Sequence, residues 1–287
     1  IAHISFCYLQ EGDMALIPDS GYPVYGIGAS LAGAENYLMP LTSENNFLPD
    51  LGSIPADIAK KAKLMFINYP NNPTGAIMTR DDLLPIARFV SEHDLLVVSD
   101  EIYSDLTYEG KHTPFASLPL MHNRTIHVSG FSKAYAMTGW RIGYACGHPD
   151  IIQAMTRIHQ YTIMCAPIMS QVAALEGLKS GESAKKEMLL EYDRRRRLMV
   201  HGFREMGLSC FEPLGAFYVF PDITVTGLRS EEFAEQLLQE EKVAVVPGTA
   251  FGPGGEGHIR CSYAYSTQQI SEALTRIKRF VQKRIKN

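Results

Sequence analysis

Four short apolar runs in the first half of the chain alternate with segments of helical periodicity. The runs are compact and rich in aliphatic and β-branched residues, as strands buried on both faces are. They cover residues 14–18, 63–68, 95–100 and 125–130. Between two of them, residues 79–94 have a helical pattern, with Thr79 as the predicted N-cap and acidic residues in the first turn. The alternation predicts an α/β fold, in which a mainly parallel sheet is sandwiched by helices.

The pattern changes near residue 182. A long charged amphipathic helix begins there and is predicted to end at Gly207. The elements predicted after it are a hairpin, a helix, an apolar run, a strand and a final helix, over residues 208–223, 230–241, 243–252, 258–264 and 266–285. We therefore expect two domains, with a large domain over residues 1–184 and a smaller α+β domain over residues 185–287.

Composition and charge exclude several classes of partner. The 287 residues are 46% hydrophobic and 20% charged, with a formal net charge of −4. Nucleic-acid-binding proteins normally carry a basic excess, so we expect no nucleic-acid partner. The basic run Arg194 to Arg197 lies in a polar helical stretch and is expected to be a solvated face. No apolar run is long enough to span a bilayer, and the start of the chain has no signal-peptide pattern, so we expect no membrane partner.

The cysteines indicate a reducing environment. There are five of them, widely spaced, and none lies in a zinc-binding pattern. We therefore expect reduced thiols, a cytoplasmic location and no metal site. A glycine-rich stretch at residues 252–257 leads into a strand rather than a helix, so we expect a flexible loop there rather than a phosphate site.

Polar residues follow the four predicted strands at the point where each strand ends. In an open parallel sheet, ligands bind at the carboxyl ends of the strands. Taken singly, these residues also have purely structural explanations. The tyrosine after the first strand fits a cap on the core, the asparagine after the second fits a Pro-Gly turn, the aspartate after the third fits a helix N-cap, and the lysine after the fourth fits a solvated side chain. Together they predict a site that contains an aromatic ring, an amide, a carboxylate, a phenol and an amine, from Tyr22, Asn72, Asp100, Tyr103 and Lys133.

This set matches the needs of pyridoxal 5'-phosphate (PLP) chemistry. A lysine is required to form a Schiff base with the aldehyde and then to move a proton. A carboxylate is required to keep the pyridine nitrogen protonated. Hydroxyls and an arginine bind the phosphate, and a second arginine binds the carboxylate of an amino acid in a bidentate pose.

Four motifs resemble those of the class I/II aminotransferases among the fold-type I PLP enzymes. In order they are "NPTG" (72–75), "DEIY" (100–103), "SKAYAMTGWRIGY" (132–144) and "IRCSYA" (259–264). The similarity runs over essentially the whole chain. It implies a PLP-dependent transferase large domain with a smaller C-terminal domain. It also implies an enzyme that moves an amino group between an L-amino acid and a 2-oxo acid by a ping-pong mechanism.

The resemblance assigns roles around the cofactor ring. It implies that Lys133 is the Schiff-base lysine and that Asp100 pairs with the pyridine nitrogen. It implies that Asn72 and Tyr103 hydrogen-bond to the ring oxygen, and that Tyr22 stacks on the ring. Lys133, Asp100 and Tyr103 are therefore the expected catalytic residues.

The resemblance also assigns the phosphate and the substrate. Ser132 and Arg141 are the expected phosphate ligands, while Arg260, with Asn72, is expected to bind the substrate carboxylate. One departure lies at Gly130, because many members of the family have serine three residues before the lysine.

The family also implies a homodimer with shared active sites and a longer N-terminal stretch. Residues 1–10 resemble the end of a helix, so we expect the large domain to be N-terminally incomplete, either as a fragment or by natural truncation. Two alternatives remain for the function. One is a PLP-dependent C–S lyase or β-eliminase on the same scaffold, and the other is the PLP-binding sensor domain of a transcription regulator.

Overall fold

The computed structural model describes residues 1–285, which contain two sheets. The strands of the larger sheet are β1 (Met14–Asp19), β2 (Glu35–Pro40), β3 (Ala62–Asn68), β4 (Leu96–Asp100), β5 (Thr125–Gly130) and β6 (Gly143–Cys146). Their order across the sheet is β2-β1-β3-β4-β5-β6. All neighbours are parallel except β5 and β6, which are antiparallel. The predicted mainly parallel α/β sheet is confirmed.

Helices cover the two faces of this sheet. The helices up to residue 205 are α1 (Ala2–Tyr8), α2 (Val24–Leu31), α3 (Ala56–Lys61), α4 (Arg80–Glu92), α5 (Pro149–Thr162), α6 (Ile168–Ser180) and α7 (Glu182–Glu205). Successive residues of β1 point to opposite faces of the sheet. Met14 and Leu16 belong to a core shared with α4, whereas Ala15 and Ile17 belong to one shared with α1, α2 and α5. This double burial explains why β1 is a continuous apolar run.

The predicted strands and the helix between them are found close to the expected positions. Strands β1, β3, β4 and β5 match the four apolar runs to within one residue at each end. Helix α4 begins after Thr79, whose hydroxyl accepts a hydrogen bond from the Asp82 N–H. The Asp82 carboxylate accepts one from the Thr79 N–H at 2.8 Å, which completes a capping box.

The two edge strands of the sheet have no such signal in the sequence. Most residues of β2 are exposed or half-buried, and so are those of β6. An edge strand that is not buried on both faces does not need a continuous apolar run, and these two strands were not predicted.

A smaller sheet follows helix α7. Its strands are β7 (Tyr218–Val219), β8 (Val246–Pro247) and β9 (Ile259–Ser262), in the antiparallel order β7-β9-β8. Helices α8 (Ser230–Glu241) and α9 (Thr267–Gln282) pack beside it. Over the part of the chain that the structure describes, no helix is both long and apolar enough to cross a membrane.

The hairpin predicted over residues 208–223 is wrong. Strand β7 pairs with β9 rather than with an earlier part of this segment. One bond joins the ends of the segment, from the Asp222 N–H to the Ser209 carbonyl at 2.8 Å, but the residues just before β7 bond to distant parts of the chain. Leu214 and Gly215 donate their N–H groups to the Gly75 carbonyl at 2.9 and 3.0 Å, and the Ala216 N–H donates to the Leu106 carbonyl at 2.9 Å. These bonds tie the small sheet to the edge of the large one.

The basic run on α7 is only partly a solvated face. The side chains of Arg194 and Arg197 are 74% and 67% exposed, but that of Arg196 is 1% exposed. The Arg196 guanidinium forms ion pairs with Asp193, Glu109 and Glu212 and donates to the Pro213 carbonyl; these partners lie at 2.7, 3.1, 3.0 and 2.9 Å. The expectation is therefore wrong for Arg196, because two of its three acidic partners, Glu109 and Glu212, come from segments outside α7.

Candidate active site

The carboxyl ends of β3, β4 and β5 lie side by side. Asn68 of β3 is in register with Asp100 of β4, which is in register with Val128 of β5. The Asn68 side chain donates to the Asp100 carbonyl at 2.9 Å and accepts the Asn72 N–H at 3.1 Å. Asn68, which the sequence did not single out, therefore links two strand ends and fixes the turn that carries Asn72.

Asp100 is buried at the end of β4. Its carboxylate accepts the Tyr25 hydroxyl at 2.8 Å and the Ile102 N–H at 3.2 Å. Burial raises the pKa of the Asp100 carboxyl, although these two donors and nearby charges act in the opposite direction. The Tyr25 ring is itself buried and stacks on Phe66, with 5.1 Å between the ring centroids.

Tyr25 was missed in the sequence, although one signal for it exists. It follows Tyr22 by three residues at the start of α2, a spacing that keeps side chains near one another. The two rings meet edge to face, with 5.6 Å between their centroids. Tyr22 is 39% exposed. It therefore lies beside the ring whose hydroxyl binds Asp100, with part of its own surface open.

Lys133 lies in the turn after β5, and its amine is among aromatic rings. Nζ is 5.8 Å from the centroid of the Tyr103 ring and 5.5 Å from that of Phe217. Burial lowers the pKa of the Lys133 amine, and the positive charges of Arg260 and Arg141 lower it further, while Asp100 acts in the opposite direction. The neutral amine is thus more available here than on a surface lysine.

Tyr103 is buried, and its hydroxyl is 3.0 Å from that of Tyr218. Burial raises the pKa of the Tyr103 hydroxyl well above its usual value. Tyr218 comes from β7 of the small sheet. Tyr218 lies 115 residues after Tyr103 in the chain, and nothing in the sequence around it indicated a contact with this site.

Arg260 reaches the same site from β9. Its Nη1 donates to the Asn72 side-chain carbonyl at 2.9 Å. The guanidinium carbon lies 4.4 Å from the centroid of the Tyr218 ring and 4.7 Å from that of Phe251. Contacts of this kind combine cation–π attraction with a fixed orientation of the guanidinium plane. Asn72 and Arg260, which are 188 residues apart, are therefore in direct contact.

The chain folds back after Lys133 and brings Arg141 towards it. The Thr138 hydroxyl donates to the Ser132 carbonyl at 2.8 Å, and Arg141 Nη1 donates to the Thr138 carbonyl at 2.7 Å. Arg141 is exposed, and its backbone is left-handed, with a φ of 52°. Its charge is close enough to Lys133 to contribute to the lowered pKa of that amine.

The structure explains why residue 130 is glycine. Gly130 faces Gly143 across the β5–β6 pair. A Cβ atom on Gly130 would lie 2.8 Å from the Gly143 Cα and 3.0 Å from the Ile142 carbonyl oxygen. The adjacent Ser129 hydroxyl donates to the Glu101 carbonyl at 3.3 Å. Strand packing therefore excludes a serine at position 130.

The side chains at this edge fit the chemistry of PLP. A buried carboxylate, an amine of lowered pKa, two tyrosine hydroxyls and two arginines lie around the ends of the strands. They match a pyridine nitrogen, an aldehyde, a ring oxygen, a phosphate and the carboxylate of an amino acid.

Comparison with known proteins agrees with this chemistry. The family model for aminotransferase class I and II matches residues 1–277. The chain belongs to the class I and II aminotransferases. It is 43% identical to an LL-diaminopimelate aminotransferase of Moorella thermoacetica, over 99% of this chain and 73% of the relative. It is 42% identical to an aspartate aminotransferase of Pyrococcus abyssi, over 96% of this chain and 72% of the relative.

A solved structure agrees with the observed fold. The crystal structure of an aromatic aminotransferase from Pyrococcus horikoshii superimposes with a TM-score of 0.94 at 41% identity. The match covers 99% of this chain and 76% of the other. The protein is thus a PLP-dependent aminotransferase that acts on an amino acid and a 2-oxo acid, as the sequence predicted.

A second buried carboxylate lies next to Asp100 but has different partners. Glu101 contacts His112 at 2.5 Å and His127 at 3.3 Å, and it accepts the Ser99 hydroxyl at 2.8 Å and the Phe115 N–H at 3.1 Å. Burial alone would raise the pKa of Glu101, but the two histidines outweigh it and hold the pKa at about 2. Glu101 therefore anchors the segment that carries His112 and Phe115 to the sheet.

The aminotransferase should lose the contribution of Glu101 to stability as the pH falls. A carboxyl whose pKa is lower in the folded state stabilises the fold above its ordinary pKa of 4.5 and loses this effect as the pH approaches its folded pKa of about 2. We expect Glu101→Gln to reduce the free energy of unfolding near neutral pH. The difference from the wild type should shrink below about pH 4.5.

Urea denaturation followed by circular dichroism between about pH 3 and pH 7 measures this difference. Glu35→Gln, a change at an exposed residue of β2, is the control. A difference between wild type and Glu101→Gln that does not vary with pH would contradict the interpretation.

Proposed function

We propose that the carboxyl edge of β3, β4 and β5 is the active site of the aminotransferase. The observation that carries the proposal is the setting of Lys133. Its amine is half-buried, and it lies in the electrostatic field of Arg260, Arg141 and Asp100, which come from different elements. A surface lysine has no need of such surroundings.

Five residues would hold the cofactor ring. The Asp100 carboxylate would bind the pyridine nitrogen, and the 2.8 Å hydrogen bond from Tyr25 would orient that carboxylate. Asn72 and Tyr103 would donate hydrogen bonds to the ring oxygen. Tyr22 would offer the face of its ring, since this side chain is partly exposed. When bound, PLP supplies an aldehyde and an electron sink for cleavage of the Cα–H bond.

Ser132 and Arg141 would bind the phosphate. The bond from Arg141 to the Thr138 carbonyl, and that from Thr138 to the Ser132 carbonyl, hold the two residues in one folded segment. Arg141 supplies the charge that a phosphate needs. Position 130 would contribute only its backbone, because it has no room for a side chain.

Lys133 would act as the acid–base group. Its Nζ would accept the proton from the Cα of the amino acid, which requires a neutral amine. The lowered pKa of Lys133 supplies that form at a pH where a surface lysine is protonated. The Tyr103 and Phe217 rings lie beside Nζ, so they would shield one side of the amine from water.

Arg260 would bind the α-carboxylate of the substrate. Its guanidinium is held by Asn72 on one nitrogen and by the Tyr218 and Phe251 rings. A planar, preoriented guanidinium binds a carboxylate through two parallel hydrogen bonds. Such a contact fixes the orientation of the Cα–H bond towards Lys133.

We also propose the division into domains over residues 1–184 and 185–287, and a cytoplasmic location. The boundary would fall one turn inside α7. The large apolar cluster formed by α7, α8, α9 and the small sheet supports a separate C-terminal core. The five cysteines are free thiols, which supports a reducing compartment.

A homodimer with shared active sites is a further part of the proposal. Large apolar side chains are exposed at the end of α5, in the turn after it and along α6. They are Tyr161, Ile163, Met164, Ile168, Met169, Val172, Leu175 and Leu178. Exposed apolar surface on this scale is typical of protein interfaces. A second copy of the chain would bury it close to the segment that carries Lys133.

Lys133→Ala should abolish transamination. Without the amine, the substrate Cα has no base, and we expect the rate of 2-oxo acid formation to fall by at least about 10³-fold. Lys186→Ala is the matched control, because that side chain is 71% exposed on α7. Steady-state rates and circular dichroism of both variants measure the effect. A Lys133→Ala enzyme that keeps wild-type turnover would refute the assigned role.

Arg260→Lys should weaken substrate binding more than turnover. A lysine keeps the charge but loses the planar pair of donors, so we expect the KM for the amino acid to rise about 10- to 100-fold. Arg88→Lys, a change at an exposed position of α4, should leave KM unchanged. The assignment fails if KM stays at the wild-type value in Arg260→Lys.

Sedimentation of the full-length protein tests the homodimer. We expect a dimer for the wild type and weaker association for Met164→Asp and Met169→Asp, because a charge in an apolar interface is costly. Val225→Asp, at an exposed apolar residue outside this surface, is the control. A wild-type monomer at micromolar concentration would count against the dimer.

A further inference from the structure

Asp19, at the end of β1, contacts a loop of the small sheet. It is 6% exposed, and both oxygens of its carboxylate accept the Gly254 N–H, at 3.0 and 3.1 Å. Two residues further on, the Gly21 N–H donates to the Phe251 carbonyl at 2.8 Å. A buried carboxylate and a backbone hydrogen bond therefore join the β1–α2 turn to residues 248–255. We call this segment the entrance loop, because its Phe251 contacts Arg260 at the proposed substrate site.

The entrance loop is closely packed against Asp19. A Cβ atom on Gly252 would lie 2.1 Å from Asp19 Oδ1, and the φ of Gly252 is 123°. A Cβ on Gly248 would lie 1.9 Å from the Gly255 carbonyl oxygen, which closes the loop on itself. The glycine-rich stretch that the sequence suggested as flexible therefore has a shape defined by close contacts.

The entrance loop carries a side chain that contacts Arg260. The Phe251 ring is buried and lies 4.7 Å from the Arg260 guanidinium carbon. It also meets Phe220 edge to face, with 6.3 Å between the ring centroids. Because the Gly21 bond is made by Phe251's own carbonyl, the turn fixes the backbone of the residue whose ring faces Arg260.

The same turn leads directly to Tyr22, the residue proposed to face the cofactor ring. The contacts of Asp19 and Gly21 thus lie between two parts of the active site, the ring face and the carboxylate-binding arginine. A hydrogen bond to an ionised acceptor is stronger than one between neutral groups, so Asp19 is suited to hold a loop in one position.

We propose that Asp19 is a positioning residue of the aminotransferase. It holds the entrance loop so that Phe251 lies against Arg260 and keeps the guanidinium oriented for the α-carboxylate of the substrate. The inference rests on the role proposed for Arg260. Asp19 itself does not touch the substrate in this arrangement, so its loss should affect substrate binding through the loop.

The first measurement separates positioning from general stability. Asp19→Ala in the full-length enzyme should raise the KM for the amino acid about tenfold, with kcat within about twofold of wild type. Asp19→Asn should recover part of the loss, because one amide oxygen still accepts the Gly254 N–H but without the charge. Asp50→Ala is the matched control, since Asp50 accepts the Gly52 N–H at 3.0 Å on an exposed turn elsewhere.

The second measurement tests the route through Phe251. If Asp19 acts by placing that ring, Asp19→Ala should change KM by less than about twofold in a Phe251→Ala background. If the two residues acted independently, Asp19→Ala would raise KM by the same factor with and without the Phe251 ring. Hydrogen exchange of a peptide over residues 246–258 gives a readout without catalysis. Exchange should be faster in Asp19→Ala than in wild type or in Asp50→Ala.

These outcomes keep the two proposals apart. A raised KM in Arg260→Lys beside an unchanged KM in Asp19→Ala would overturn the positioning role alone. An unchanged KM in Arg260→Lys would overturn the assigned role of Arg260. Wild-type exchange of residues 246–258 in Asp19→Ala would show that the carboxylate does not hold the loop, whatever the kinetics.

Discussion

The parallel register of β3, β4 and β5 is the constraint on which the rest of the site depends. It sets Asn68, Asp100 and Val128 side by side, so the segments that follow the three strands begin at one edge. The Asn68 side chain bridges the first two strand ends and fixes the next turn. A shift of one residue between these strands would move Asp100 to the other face of the sheet. The positions of Asn72, Asp100 and Lys133 are thus consequences of strand pairing.

The small sheet completes the site because it is tied to this edge at several points. Leu214 and Gly215 bond to Gly75, and Arg196 joins α7 to acidic residues on other segments. From this base, β7 and β9 bring Tyr218 and Arg260 against Tyr103 and Asn72. Buried ion pairs contribute little net stability, but they have defined geometry. In the aminotransferase the ion pairs of Arg196 and the bonds to Gly75 hold the small sheet, which carries Arg260, at this edge.

The adjacent carboxylates of Asp100 and Glu101 differ in chemical role because their surroundings differ. Asp100 and Glu101 are both buried, but the pKa of Asp100 is raised by burial, whereas that of Glu101 is held at about 2 by His112 and His127. The Asp100 carboxylate has neutral hydrogen-bond donors, so it is suited to bind a further cationic group. Glu101 already has its partners and serves the fold. Environments that push the pKa values of like groups apart are a common feature of enzyme sites.

The sequence by itself determined the elements whose signals are local. The apolar runs predicted four buried strands, Thr79 and Asp82 predicted the start of α4, and the motifs indicated the family and its chemistry. The exposed edge strands β2 and β6 and the contacts of Tyr25, Tyr218 and Asp19 depend on the tertiary structure. So does the pairing of β7 with β9 in place of the hairpin predicted over residues 208–223. The physical reason is distance along the chain. The burial of a strand and the cap of a helix are encoded in consecutive residues. A hydrogen bond such as that between residues 19 and 254 forms only when the whole chain has folded.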